Sequence, residues 1–164
     1  MRTNPRSTVR IGDHPVHPML VPFVIAFYSA AFAADIGYDA SQHPFFARAA
    51  FWLIGAGIVA SAAAGTLGLI DFLSDAAIRR LSAAWWHLGA NVALSLVSIL
   101  DWILRYRVGA DAGSSAYIWL SLLAFLLLLF SGWKGGEMVY RHRVGVSDPR
   151  LDFAKTPAGI ISGE

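Results

Sequence analysis

The sequence contains no cysteine, which excludes disulfide bonds, thiolate metal ligands and cysteine-bound iron–sulfur clusters. Charged residues are also scarce: they make up 15% of the 164-residue chain, against about 25% in a soluble domain. There is no G-x-S-x-G motif, so with cysteine missing as well nothing supports nucleophilic catalysis. The chain has too little charge for a water-exposed surface, and it does not favour an enzyme acting by itself.

Hydrophobic residues make up 56% of the chain, its mean hydropathy is +0.53, and its apolar residues gather in four long segments. We expect these segments at about 18–37, 48–73, 85–106 and 116–138. About 18 helical residues span roughly 27 Å, close to the thickness of a hydrocarbon core. The sequence therefore predicts an all-α integral membrane protein, a four-helix up-down-up-down bundle over 17–140, with tails at 1–16 and 141–164.

Lysine and arginine are distributed unevenly between the two sides of this bundle. Three of the 13 lie on the side of the 37–48 and 106–116 loops, namely Arg48, Arg105 and Arg107. The other ten lie with the chain termini: Arg2, Arg6, Arg10, Arg79, Arg80, Lys134, Arg141, Arg143, Arg150 and Lys155. Basic residues accumulate on the cytoplasmic side, so we expect a bacterial inner-membrane protein with both termini in the cytoplasm. This pattern favours membrane orientation over nucleic-acid binding.

The third segment carries a regular stripe of polar residues. His87, Asn91, Ser95, Ser98 and Asp101 follow one another at helical spacing and fall on one face of a helix. Lipid cannot satisfy these groups, so we expect the stripe to face the interior of the bundle.

Two further ionisable residues belong to the same end as His87: His17 begins the first segment and Asp71 ends the second. If the helices follow one another around a square, the first and third are diagonal, so His17 faces His87. Two inward imidazoles are what a b-type haem needs as axial ligands. We therefore predict a haem b bound by His17 and His87, with Asn91 and Asp71 orienting the imidazoles. Such a protein would exchange electrons with quinone or a membrane redox partner.

Small residues recur along the second segment, at Gly57, Ser61, Gly65 and Gly68. Small residues at this spacing let neighbouring helices approach closely, so we expect a packing face there. The same face would make room for a porphyrin.

Two alternatives to haem remain open. His17, His87, Asp71 and Glu137 offer two nitrogens and two carboxylates, a ligand set suited to a divalent zinc, iron or copper ion. The protein would then be a non-haem metal-binding protein or a small transporter. Alternatively, the cluster binds no cofactor and only determines helix packing or docks a partner. The apolar outer face is compatible with lipid and equally with a homodimer.

At the opposite end, we expect Asp35, Asp101, Arg105 and Tyr38 to form a polar network that anchors the helices. Carboxylates at one end and histidines at the other also fit a proton path. However, the middle of the bundle offers only serines and Tyr28 for that purpose.

Several motifs then carry a family resemblance. They are His14-Pro15-x-His17-Pro18-x-x-x-Pro22-Phe23, Gly65-x-x-Gly68-x-x-Asp71, His87-x-x-x-Asn91 and Gly132-Trp133-x-Gly135-Gly136-x-x-Val139-Tyr140-x-x-x-Val144-Gly145-Val146. Over most of 14–147 the chain resembles the bacterial membrane family named domain of unknown function 2231. That family is similar in architecture to four-helix b-type cytochromes, and some relatives carry a Rieske-type iron–sulfur module. The resemblance thus implies electron transfer with an iron–sulfur or other redox partner.

One departure concerns the first helix. The family often has Phe-Pro-Ile where this sequence has Pro22-Phe23-Val24-Ile25, so we expect a different entry into that helix.

Overall fold

The computed structural model describes residues 4–5, 7–12 and 14–146. The described elements are β1 (Arg10–Ile11), β2 (His14–Pro15), α1 (Val16–Ser41), α2 (Pro44–Ser74), α3 (Ala76–Arg79), α4 (Ser82–Val108) and α5 (Tyr117–Tyr140). Most of the predicted C-terminal tail, 147–164, lies outside the described residues. So do Arg2, Arg6, Arg150 and Lys155 of the charge count.

Four helices, α1, α2, α4 and α5, are long and apolar enough to cross a membrane, with 26, 31, 27 and 24 residues. At about 1.5 Å per residue even the shortest is longer than a hydrocarbon core of about 30 Å. This confirms the predicted all-α, four-span fold class. Most helices extend beyond their predicted spans because their polar ends continue as helix. For example, α2 begins at Pro44, where the missing N–H is tolerated and His43 accepts a hydrogen bond from the Phe45 amide (3.2 Å).

The four spanning helices are arranged around a square in chain order. α1 packs against α2 and α5, and α4 packs against the same two helices. α1 and α4 are therefore diagonal, as the sequence argument required. Helix α1 continues through Pro22 without interruption.

The interior of the bundle is small, and its outside is strongly apolar. Val24, Tyr28, Leu94 and Leu128 form the central core. Large side chains such as Trp52, Trp86, Trp119 and Trp133 are 62–75% exposed. An apolar exterior with tryptophans near the helix ends suits a lipid environment.

The described part of the predicted N-terminal tail is folded rather than free. β1 and β2 pair antiparallel, and the Val16 amide donates to the Val9 carbonyl. The Gly145 amide donates to the Pro5 carbonyl (2.9 Å), and Asn4 Nδ2 donates to the Val146 carbonyl (3.1 Å). The two ends of the described chain therefore meet at the end of the bundle that carries His17.

Candidate functional site

His17 and His87 lie side by side in the interior. His17 is in the first turn of α1 and His87 in the second turn of α4. Their ring centroids are 6.3 Å apart and the ring planes are nearly perpendicular, at 89°. The diagonal placement of α1 and α4 and the shared depth of the two residues produce this contact.

Each imidazole is held by a backbone carbonyl of a neighbouring helix. His17 Nδ1 lies 2.7 Å from the Ala64 carbonyl of α2, and His87 Nδ1 lies 2.9 Å from the Ser131 carbonyl of α5. A carbonyl can only accept, so Nδ1 carries the proton and Nε2 of the neutral ring keeps its lone pair. Within the described part of the chain, neither Nε2 has a hydrogen-bond partner. Both rings thus have the tautomer that suits metal binding through Nε2.

Two glycines provide the space for these rings. A Cβ at Gly68 would lie 3.1 Å from the His17 ring, and one at Gly135 would lie 3.3 Å from the His87 ring. Each imidazole therefore packs directly against helix backbone, where a side chain would crowd it. Gly68 belongs to the predicted small-residue face, but only the structure shows that the His17 ring packs against its backbone.

Asn91 reaches the His87 ring through Ser131. Asn91 Nδ2 donates to Ser131 Oγ (2.6 Å) and to the His87 carbonyl (2.8 Å). Ser131 Oγ lies 3.1 Å from His87 Nδ1, and Ser131 is buried. Sequence reasoning missed Ser131, although it is the first polar residue after the apolar run 122–130 and could have been noticed for that reason.

Asp71 binds the N-terminal segment instead of orienting an imidazole. Its carboxylate accepts hydrogen bonds from Ser7 Oγ (2.7 Å), the Thr8 amide (2.6 Å) and the Val9 amide (3.4 Å). Asp71 does border the same cavity as the histidines. Its role in the structure is to fasten residues 7–9 over this end of the bundle.

Glu137 is also occupied elsewhere. It pairs with Lys134 (2.9 Å) and Arg141 (3.6 Å) near the end of α5. The structure does not assemble His17, His87, Asp71 and Glu137 into one site. Among the described residues, no three His, Cys, Asp or Glu side chains form a metal-binding group.

A cavity of about 440 Å³ lies beside the two histidines. Its walls come from α1, α2, α4 and α5 and are mainly apolar, with Val24, Phe72 and Leu128 among them. Ser61 and Ser95 are among its polar lining residues. An apolar cavity with a few converging polar groups is typical of ligand sites.

The opposite end contains a buried ionic network. Arg105 donates from Nη1 and Nη2 to Asp35 (2.8 and 2.7 Å), and from Nε and Nη2 to Asp101 (2.9 and 3.2 Å). All three residues are buried, and the guanidinium lies 4.6 Å from the Tyr117 ring centroid. The geometry confirms the predicted association of Asp35, Asp101 and Arg105. Tyr38, also predicted there, packs its ring against the backbone of the 109–116 loop at Gly113.

An exposed ion pair lies at the same end of the bundle as Arg105. Arg48 donates to both carboxylate oxygens of Asp111, at 2.5 and 2.6 Å. The hydrogen bond from Arg48 holds the pKa of the Asp111 carboxyl below its usual value. Of the three arginines on this side, only Arg107 is not in an ion pair with a described residue.

A known protein family matches most of the chain. The family described as "Predicted membrane protein (DUF2231)" matches residues 13–148, a range that contains all four spanning helices and both histidines. Comparison with curated proteins and with solved structures finds no match.

Proposed function

The chain belongs to the DUF2231 family of membrane proteins, and we propose that it is an electron-transfer protein that binds a haem b between His17 and His87. The observation that carries the proposal is the arrangement of the two imidazoles. They come from diagonal helices, each Nδ1 is bound to a carbonyl, and neither Nε2 has a hydrogen-bond partner among the described residues.

The distance between the ring centroids is compatible with one metal ion between the two imidazoles. A metal–imidazole bond of about 2 Å on each side of one ion puts the two ring centroids about 6 Å apart, since each nitrogen lies about 1 Å from its ring centre. The observed separation is 6.3 Å. A haem iron takes its other four ligands from the porphyrin, so two histidines complete its coordination. This is why a site to which the described residues supply no third ligand suits haem better than a bare divalent ion.

The surroundings also suit a large apolar cofactor. The cavity of about 440 Å³ falls within the range of about 300–1,000 Å³ for ligand pockets. Gly65 adds no side chain to its wall, and a Cβ there would meet nothing within 4 Å. Haem, when bound, supplies a one-electron iron couple. The protein fixes the imidazoles through Ala64 and Ser131 and surrounds the site with apolar side chains.

Absorption spectra of the detergent-purified protein test this proposal. We expect a Soret band, and sharp α and β bands after dithionite, from protein produced with ample haem. His17→Ala and His87→Ala should each abolish the six-coordinate spectrum. His14→Ala is the matched control, because His14 is exposed at the same end and does not line the cavity. A featureless spectrum of the unmodified protein would rule out the cytochrome function.

A second candidate function is a cofactor-free packing module. The bond from His17 to Ala64 ties α1 to α2, and the bond from His87 to Ser131 ties α4 to α5. On this hypothesis the purified protein is colourless and contains no stoichiometric metal. Replacing either histidine then lowers thermal stability and changes nothing else.

For the orientation, we propose that both termini and the histidine end lie on the cytoplasmic side of the bacterial inner membrane. The supporting observation is the excess of lysine and arginine there, together with the pairing of Arg48 and Arg105 on the other side. Quinone or a redox protein would be the electron partner. Reporter fusions after residue 146 and within the 109–116 loop should report opposite sides of the membrane. Reports from the same side would contradict this topology.

A further inference from the structure

The buried network of Asp35, Asp101 and Arg105 has an unbalanced charge. Two carboxylates share one guanidinium, and the three residues are 2–5% exposed. Arg105 makes its shorter pair of bonds to Asp35, whereas one of its bonds to Asp101 is 3.2 Å long. Asp101 is therefore the less tightly held carboxylate, and it is the one that can take up a proton.

Among the described residues, no other charged side chain forms an ion pair with Asp35, Asp101 or Arg105. Tyr117 of α5 contributes only its ring face to Arg105. Helix α2 carries two charged residues: Arg48 is paired with Asp111 at the surface, and Asp71 lies at the opposite end.

Ser98 lies one helical turn from Asp101 on the same face of α4, and it is 2% exposed. Its hydroxyl has no hydrogen-bond partner among the described residues, although it is fully buried. Ser98 interacts with the Tyr28 hydroxyl without forming a hydrogen bond of normal geometry. A buried hydroxyl without a partner is destabilising, so its presence calls for an explanation. A hydroxyl that is free to turn can both accept and donate a proton.

Tyr28 connects this part of the interior with the cavity beside His17 and His87. Its hydroxyl lies 3.3 Å from Ser61 Oγ, and Ser61 lines the histidine cavity. The tyrosine ring is accommodated by Gly57, where a Cβ would lie 2.7 Å from it. Water held at the polar part of the cavity wall, which Ser61, Ser95, Asn91 and His87 line, would extend the path from Ser61 to His87.

From this arrangement we propose a further activity: the bundle conducts protons between Asp101 and the histidine cavity. A proton on the Asp101 carboxylate passes through the hydroxyls of Ser98, Tyr28 and Ser61 to water in the cavity. Each hydroxyl accepts one proton and releases its own, and no electron moves. No step of this path involves haem, so the proposal goes beyond the haem proposal and does not depend on it.

Proton flux into vesicles tests the proposal. The full chain is reconstituted into phospholipid vesicles that contain a pH-sensitive dye, and a potassium gradient with valinomycin supplies the driving force. We expect acidification faster than in empty vesicles, and we expect Tyr28→Phe and Ser98→Ala to reduce it to the empty-vesicle rate. Tyr106→Phe is the control for the tyrosine, because Tyr106 is 68% exposed. Ser121→Ala is the control for the serine, because buried Ser121 already donates to the Ile118 carbonyl of its own helix.

Stability separates a relay from a structural role. Ser98→Ala removes an unpartnered hydroxyl, so it should unfold at a temperature no lower than the unmodified protein. Loss of flux in this stably folded variant supports the relay. Flux equal to that of empty vesicles in the unmodified protein, or unchanged flux in both path variants, overturns it. The absorption spectrum reports haem independently, so either proposal can fail while the other stands.

Discussion

Removing Arg105 should be far more damaging than removing either of its carboxylate partners. Arg105→Met leaves Asp35 and Asp101 buried together without their cation and cancels four hydrogen bonds of 2.7–3.2 Å. Breaking a buried ion pair in this way costs about 3–5 kcal/mol. Asp101→Asn instead leaves Arg105 with Asp35, a charge-balanced pair that keeps its two shortest bonds. Its cost should therefore be clearly smaller.

Unfolding in detergent, followed by tryptophan fluorescence or circular dichroism, measures these differences. Arg48→Met is the control, because its ion pair with Asp111 is similar in geometry but more than half exposed. Exposed pairs contribute little to stability. We expect Arg105→Met to lower the unfolding temperature most, Asp101→Asn less, and Arg48→Met least.

The excess negative charge of the network requires Arg105→Met to be more destabilising than Asp101→Asn. If Arg105→Met were no more destabilising than Asp101→Asn, the excess negative charge of the network would have no energetic consequence. The reasoning would also fail if Arg105→Met behaved like the exposed control.

Three further predictions concern other parts of the structure. Gly57→Ala should destabilise the bundle by about 1–3 kcal/mol, because the added Cβ would collide with the Tyr28 ring. Gly89→Ala is the control: a Cβ there would meet nothing within 4 Å, so this variant should unfold at the same temperature as the unmodified protein. Thermal unfolding compares the two variants. Asp71→Ala should release the N-terminal segment, seen as faster proteolysis or hydrogen exchange there, since three donors lose their acceptor; unchanged protection would contradict this. Because the folded pKa of Asp111 is lowered, its stabilising effect is present above the usual carboxyl pKa of about 3.9 and is lost as the pH falls through the folded value. The difference in unfolding temperature between the unmodified protein and Asp111→Asn should disappear in acid, and a pH-independent difference would refute this.

The sequence by itself determined the class of fold and the depth at which each polar group lies along the bundle. Lipid offers no hydrogen bonds, so four apolar segments must form helices, and polar residues at helical spacing must face inward. For this reason the meeting of His17 with His87, and of Asp35 with Asp101 and Arg105, could be predicted from spacing and topology.

The tertiary structure decided which groups those side chains bind. His17 and His87 are held by backbone carbonyls, which every residue possesses and no sequence pattern marks. Asp71 lies at the predicted end but binds residues 7–9, because a carboxylate pairs with whichever donors the folded chain brings to it. The contact of Tyr28 with Ser61 likewise depends on the rotation of α1 against α2. The helical periodicity of a sequence predicts the helix face on which a residue lies and its depth in the membrane. Which group its side chain binds depends on how the neighbouring helices are rotated and on how closely their backbones approach.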